Sequence, residues 1–272
     1  MANIQDRIVE PLAGIGSAIE RGLAYLGGLA QLLGRALLHT FSSPLKRSMS
    51  LQRAVHQAML VGVGAIPVIS FITFFIGLIM ALQGAYELKR FGALNLVADT
   101  VAISITRELG PLVTAIVVIG RSGSAFAAEI GTMKVTEELD ALETMALHPI
   151  GFLVTPKLVA MLVMMPCLTI WSDLMGVLGG TIFGVIGADY TFETYFVATR
   201  DALFMRDVIT GLVKSIVFGL VITGVGCHEG FSTGSGSQEV GRSTTTAVVA
   251  SIFLVVFVDL VFTGIFYVTG GQ

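Results

Sequence analysis

Apolar residues run through this chain in blocks longer than a globular core element requires. Between Arg53 and Glu87 no Asp, Glu, Lys or Arg occurs, whereas about 20 helical residues suffice to cross a hydrocarbon layer of about 30 Å. The pattern predicts a membrane span over about 55–83, with Pro67 as a kink site, and four more over about 97–120, 158–188, 208–228 and 243–268. The fold class that follows is an all-α integral membrane protein. Five spans put the two ends of the segment 54–272 on opposite sides of the bilayer.

Residues 1–53 carry a different pattern. Their longest charge-free run, 22–34, is too short to cross. Ile8, Leu12, Ile15, Ile19, Leu26, Leu29, Leu33 and Leu37 recur at helical spacing, while Arg7, Glu20, Arg21 and Arg35 fall between them. That pattern predicts an amphipathic helix lying in the membrane interface. The alternative is a helix packed on the spans.

Composition agrees with the periodicity. The 272 residues are 54% hydrophobic with 32 glycines, and 13% are charged, about half of the ~25% usual in soluble domains. With a mean hydropathy of +0.85, too little polar sequence remains to cover a globule in water. A net charge of −3 and the lack of a basic run argue against nucleic acid as a partner. Cys167 and Cys227 stand apart in apolar segments, so neither a disulfide framework nor a metal site is indicated.

Lysine and arginine placement orients the spans. With the N-terminus in the cytoplasm, Arg7, Arg21, Arg35, Lys46, Arg47, Arg53, Arg121, Lys134, Lys157 and Arg242 lie inside, against Lys89, Arg90, Arg200 and Arg206 outside. That excess favours N-in and C-out. Tyr86, Tyr190, Tyr195 and Tyr267 then fall near the outer ends of spans, where amphipathic rings are favoured.

Charges inside the spans are the main chemical signal. Arg107, Glu108, Asp173, Lys214 and Asp259 each interrupt an apolar helix, and an unpaired charge there costs at least ~2.5 kcal/mol on insertion scales. Counting ~1.5 Å per residue, Arg107 and Glu108 lie about 12 Å from Asp99, Lys214 about 10 Å from Asp207, and Asp259 at similar depth from Tyr267. Four charges at one level can close into a network, with Asp173 deeper and separate. Such a network serves either as a structural ion-pair lock or as part of a transport path. Gly176, Gly180 and Gly184 form a double GxxxG repeat, a surface for close helix packing within the protomer or across a dimer.

Catalytic motifs are lacking. No G-x-x-x-x-G-K-[ST] occurs, so ATP chemistry belongs to a partner. Gly230-Phe231-Ser232-Thr233-Gly234 matches G-x-S-x-G but lies between membrane helices rather than at a strand-turn-helix elbow. His228-Glu229 lacks the second histidine of a zinc helix.

The segment 121–156 holds a predicted short helix. Thr136 is placed to cap it, Glu137 and Glu138 suit its positive N-terminal end, and His148-Pro149 closes it. Val135, Leu139, Leu142 and Ala146 share one face, flanked by Glu137, Glu138, Asp140 and Glu143. A helix of this kind between two spans suits docking into a partner's groove.

These residues resemble the MlaE-type permeases of the Mla/Mce lipid-transport ABC systems. The resemblance rests on Arg107-Glu108-Leu109-Gly110-Pro111, Gly120-Arg121-Ser122-Gly123-Ser124-Ala125, Ala128-Glu129-Ile130-Gly131-Thr132-Met133, and Glu137-Glu138-Leu139-Asp140-Ala141-Leu142 through His148-Pro149. Gly179-Gly180, Val240-Gly241-Arg242-Ser243-Thr244-Thr245 and Ala247-Val248-Val249 continue it. It covers residue 55 to the end.

The resemblance implies a multi-pass permease of the bacterial inner membrane, paired with a second copy and non-enzymatic itself. Two cytoplasmic ABC ATPase subunits would dock on the pair and bind the ATP, with a periplasmic Mce-domain protein above and a STAS-type auxiliary subunit as a further partner. Phospholipid or a related lipid would lie between the protomers, against Met80, Gln83, Leu88, Phe91, Arg107, Glu108 and Leu109. A coupling helix over about 131–147 would meet the ATPase through Glu138, Leu139, Leu142 and Glu143. The competing reading is an ATP-independent secondary transporter or channel that uses the buried charges as an ion relay.

Overall fold

A computed structural model describes residues 20, 22–39, 47–187 and 191–270. Helices account for nearly all of them, and no strand occurs among the described residues. In chain order these are α1 (22–39), α2 (Arg47–Arg90), α3 (Leu94–Val135), α4 (Glu138–Thr144), α5 (Ile150–Gly187), α6 (Phe192–Ala202), α7 (Met205–Ser232) and α8 (Ser237–Gly270). Five of them, α2, α3, α5, α7 and α8, are long and apolar enough to cross a membrane.

The helices outrun the apolar blocks that announce them. α3 continues through Gly120-Arg121-Ser122-Gly123 to Val135, because Ile119–Gly123 forms a π-helical turn that keeps the helix going. Two more π turns, Ile105–Leu109 and Ile150–Val154, lie just before Pro111 and Pro156. A proline inside a helix lacks the N–H for residue i−4 and its ring crowds that carbonyl, and a widened turn relieves the crowding. At Pro156 the freed acceptor is Phe152 O, and Arg53 Nη1 of α2 donates to it at 3.1 Å. The Arg53 guanidinium also lies 4.0 Å from the Phe152 ring centre.

Glycines set how closely the spans approach. In lipid, helices associate through close packing and interhelical polar contacts rather than by hiding apolar surface from water. A Cβ on Gly77 of α2 would collide with the Gly176 carbonyl of α5, and one on Gly179 with the Phe74 carbonyl of α2. Gly176 also meets Ile105 of α3, and Gly180 meets Val101. The double GxxxG face thus packs within the chain. Its last two glycines form a notch for the Tyr195 ring of α6, which is 1% exposed. Tyr195 therefore serves as a buried wedge and not as an interfacial anchor.

The main core joins Ile69 of α2, Ile119 and Phe126 of α3, Leu158 and Met161 of α5, and Phe218 and Ile222 of α7. α8 enters it mainly through Val255 and leaves Val249, Phe253, Phe257 and Leu260 exposed. α1 lies against this bundle. Its Leu29, Leu32 and Ala36 are buried, Leu33 packs on Gly224, and the Tyr25 ring stands edge-on to His228 with centroids 5.1 Å apart. Over 22–39 the helix thus packs on the spans along one face, while Leu23, Leu26 and Leu38 remain exposed. Ile8, Leu12, Ile15, Ile19, Arg7 and Arg21 lie outside the described residues.

Candidate functional site

Successive residues on a helix point about 100° apart, so Arg107 and Glu108 in the first π turn of α3 reach different partners. Arg107 Nε lies 3.5 Å from Asp207 Oδ1 at the start of α7. The other oxygen of Asp207 accepts from Phe204 N at 3.1 Å, so the same carboxylate caps α7. Glu108 turns toward Lys214 instead.

Lys214 is fully buried and donates to Glu108 Oε2 and, at 2.9 Å, to Thr263 Oγ1. Asp259 Oδ1 stands 2.9 Å from the same ammonium, at ion-pair distance but off the hydrogen-bond direction. Thr263 Oγ1 is 3.1 and 3.2 Å from the two Glu108 oxygens. Asp259 and Thr263 are one turn apart on α8 and so present one face. One cation is held between two carboxylates from two other spans, which leaves the group with a formal excess of negative charge.

The four charges expected in one network therefore divide into two pairings. Glu108, Lys214 and Asp259 join with Thr263, whereas Arg107 goes to Asp207. Asp173 belongs to neither: its Oδ1 is buried against Gly110, where a Cβ would collide with it, and makes no hydrogen bond. The neighbouring Ser172 hydroxyl donates to Gly110 O at 3.3 Å.

Of the expected lipid-lining residues, Met80, Leu88 and Leu109 pack around a small apolar cluster of Ala81, Ala85, Val97, Val101 and Ile105 between α2 and α3. Gln83 and Phe91 are exposed, Phe91 by 80%. Glu108 and Arg107 turn to α7 and α8.

At the opposite end of α3, the segment expected to be one helix over 131–147 is divided. Residues up to Val135 belong to α3, Thr136 closes that helix by donating to Thr132 O at 3.0 Å, and Glu137 takes a left-handed φ of 61° before α4 begins. Thr136 thus ends one helix and does not start the next. Leu142 is buried, and Leu139 packs against the main core. These two leucines hold α4 to the protein's own bundle, where it packs on the end of α3. The outward face presents Glu138, Asp140, Glu143 and the 61% exposed Met145.

Two charged contacts flank α4. Lys157 pairs with Glu129 across α5 and α3, and Lys134 Nζ donates to Phe231 O at 2.6 Å, meeting the negative end of α7. The sequence offered signals for some of these partners. Asp259 and Thr263 have helical i, i+4 spacing, and Asp207 stands at an N-cap-proximal position; Glu129 and Lys157 carried none beyond being charges near span ends.

The family profile described as "Permease MlaE" matches residues 54–265. A "probable ABC transporter permease protein" of Rickettsia prowazekii is 40% identical over 241 residues, covering 88% of this chain and 93% of the relative. The intermembrane phospholipid transport system permease protein MlaE of Haemophilus influenzae is 33% identical over 217 residues, covering 79% and 83%. The chloroplastic protein TRIGALACTOSYLDIACYLGLYCEROL 1 of Arabidopsis thaliana is 34% identical over 198 residues, covering 73% of this chain and 57% of that protein. The profile and these relatives together show that the chain belongs to the MlaE permease family, as a non-catalytic membrane subunit of an ABC-type transporter.

Proposed function

We propose that this permease moves phospholipid or a closely related lipid, works as a pair of copies in the bacterial inner membrane, and is driven by a cytoplasmic ABC ATPase. The N-terminus and α4 face the cytoplasm in this reading, and an Mce-domain protein receives or delivers lipid on the periplasmic side. A STAS-type subunit accompanies the ATPase, and α1 turns its exposed Leu23, Leu26 and Leu38 to the inner interface while its other face packs on the spans. Lipid contacts Met80, Gln83, Leu88, Phe91 and Leu109, with Arg107 and Glu108 at its polar part.

The observation that carries the reading is the continuity of α3. One helix holds Glu108 in the charge group and ends, about 40 Å away, on the acidic α4. A push on α4 by an ATPase would cross the turn at Thr136 and Glu137 and then run along one continuous helix to the charge group. The relative named as an intermembrane phospholipid transport permease supports lipid as the cargo.

The test is reconstitution of the permease with an ABC ATPase and an Mce-domain protein from the same organism, in vesicles holding fluorescent phospholipid. Transfer that requires ATP and is lost in Lys214→Met supports the reading. ATP-independent transfer that follows an imposed ion gradient would overturn it in favour of a secondary transporter.

A further inference from the structure

A second ion pair, with its lysine buried and its glutamate half-exposed, ties the root of the connection between α3 and α5. Lys157 Nζ sits 2.9 and 2.8 Å from the two oxygens of Glu129. The lysine side chain is 2% exposed and the glutamate 46%. The ammonium also lies 5.3 Å from the centre of the Phe126 ring, a cation–π contact that adds to its hold. Glu129 stands six residues before Val135 and Lys157 seven after Ile150, so each is about 10 Å from its helix end. The pair is therefore level, and it closes the segment carrying α4 into a loop fixed at both roots.

We propose that Glu129 and Lys157 are positioning residues for coupling: they make α3 and α5 answer together to any displacement of α4. The inference rests on the reading of the protein as an ATP-driven permease. Separating the two helix ends would leave the Lys157 ammonium buried without its carboxylate, a state far costlier than the paired one. Splaying of the two roots is thus resisted, and translation or rotation of both is not. α5 is in turn held to α2 by the Gly77 and Gly179 contacts, while α3 carries Glu108 about 30 Å away. A force on α4 is passed to α2, α3 and α5 together, and α3 carries it to Glu108 and so to Lys214 on α7 and to Asp259 and Thr263 on α8.

Two variants test this in the reconstituted complex with its ATPase and Mce-domain partner. Glu129→Gln removes the carboxylate charge. Glu129→Met with Lys157→Met removes both charges and keeps comparable volume, so no unpaired ion is left. The readouts are lipid transferred per ATP hydrolysed, ATPase affinity and the thermal midpoint of the permease. Glu129→Gln should lower lipid per ATP at least about fivefold, with ATPase affinity unchanged. The double variant should recover the thermal midpoint while its coupling ratio stays low. Wild-type coupling in either variant, or joint recovery of stability and coupling in the double variant, overturns the proposal by reducing the pair to a structural role. A wild-type complex that transfers no lipid with ATP instead overturns the functional reading, and this inference with it.

Discussion

Gly77 of α2 lies so close to Gly176 of α5 that any side chain on Gly77 would collide with the Gly176 carbonyl. The contact places two helix backbones together in a medium where packing, not water exclusion, holds helices. Backbone atoms cannot rotate away as a flexible side chain can. Gly77→Ala should therefore force α2 and α5 apart and cost about 1–3 kcal/mol, read as a lowered thermal midpoint in detergent. Gly264→Ala is the control, because nothing lies within 4 Å of its Cβ position and alanine favours a helix by roughly 0.5–1 kcal/mol. A neutral Gly77→Ala would show that the approach is looser than described.

The Lys214 group should respond to removal of one partner more than to removal of all. Lys214→Met leaves Glu108 and Asp259 facing each other with no cation between them, a loss of about 3–5 kcal/mol for a broken buried pair. Adding Glu108→Gln and Asp259→Asn removes the stranded carboxylates and should restore much of the thermal midpoint. Additive losses across the three substitutions would mean that the side chains act independently.

Much of this architecture is legible in the sequence for a simple reason. A hydrocarbon core demands long apolar blocks, so the five spans can be read from the spacing of charges. Depth counted along each helix also brings Glu108, Lys214 and Asp259 to one level. Depth does not specify azimuth, which is why Arg107 finds Asp207 rather than the Lys214 group: a π turn rotates the helix locally, and no periodicity announces it. The same holds at α4, where a spacing that suits a docking face suits inward packing equally well. Leu142 packs inward, and α4 lies against the end of α3 in the same chain. Tyr195 and its glycine notch escape sequence reading because the two halves of that contact come from different elements.

Arg53 should matter in proportion to the proline it compensates. Its guanidinium supplies the hydrogen bond that Pro156 cannot give to the half-buried Phe152 O, and such a bond contributes about 0.5–1.5 kcal/mol. Arg53→Met should lower stability by an amount of that order. In a Pro156→Ala background, where a backbone N–H is available at that position, the same substitution should cost less. The thermodynamic cycle over the four proteins checks this, and equal costs in both backgrounds would show that Arg53 acts through contacts other than the hydrogen bond to Phe152 O.

The inward packing of α4 reverses which residues should govern partner binding and which should govern folding. Leu142 is buried within the chain and Leu139 is packed on the core, so Leu142→Ala should destabilise the isolated permease by about 2–4 kcal/mol, with no ATPase present. Glu138, Asp140 and Glu143 face outward, and Glu138 accepts from the Thr136 hydroxyl at 3.2 Å, as its amide can. Replacing all three by their amides should leave the thermal midpoint of the permease unchanged and weaken ATPase association. Because these are exposed charges, the weakening should be large at low ionic strength and fade as the Debye length shrinks toward about 8 Å at physiological salt. Met145, the apolar side chain on that outer face, is 61% exposed, and Met145→Asp should reduce association at every salt concentration. Binding of the ATPase measured across a salt series, beside thermal midpoints of the permease alone, separates the two roles. If Leu142→Ala leaves the permease as stable as wild type while abolishing ATPase binding, α4 turns its leucine face outward in the complex, and the inward-packed arrangement is the resting one only.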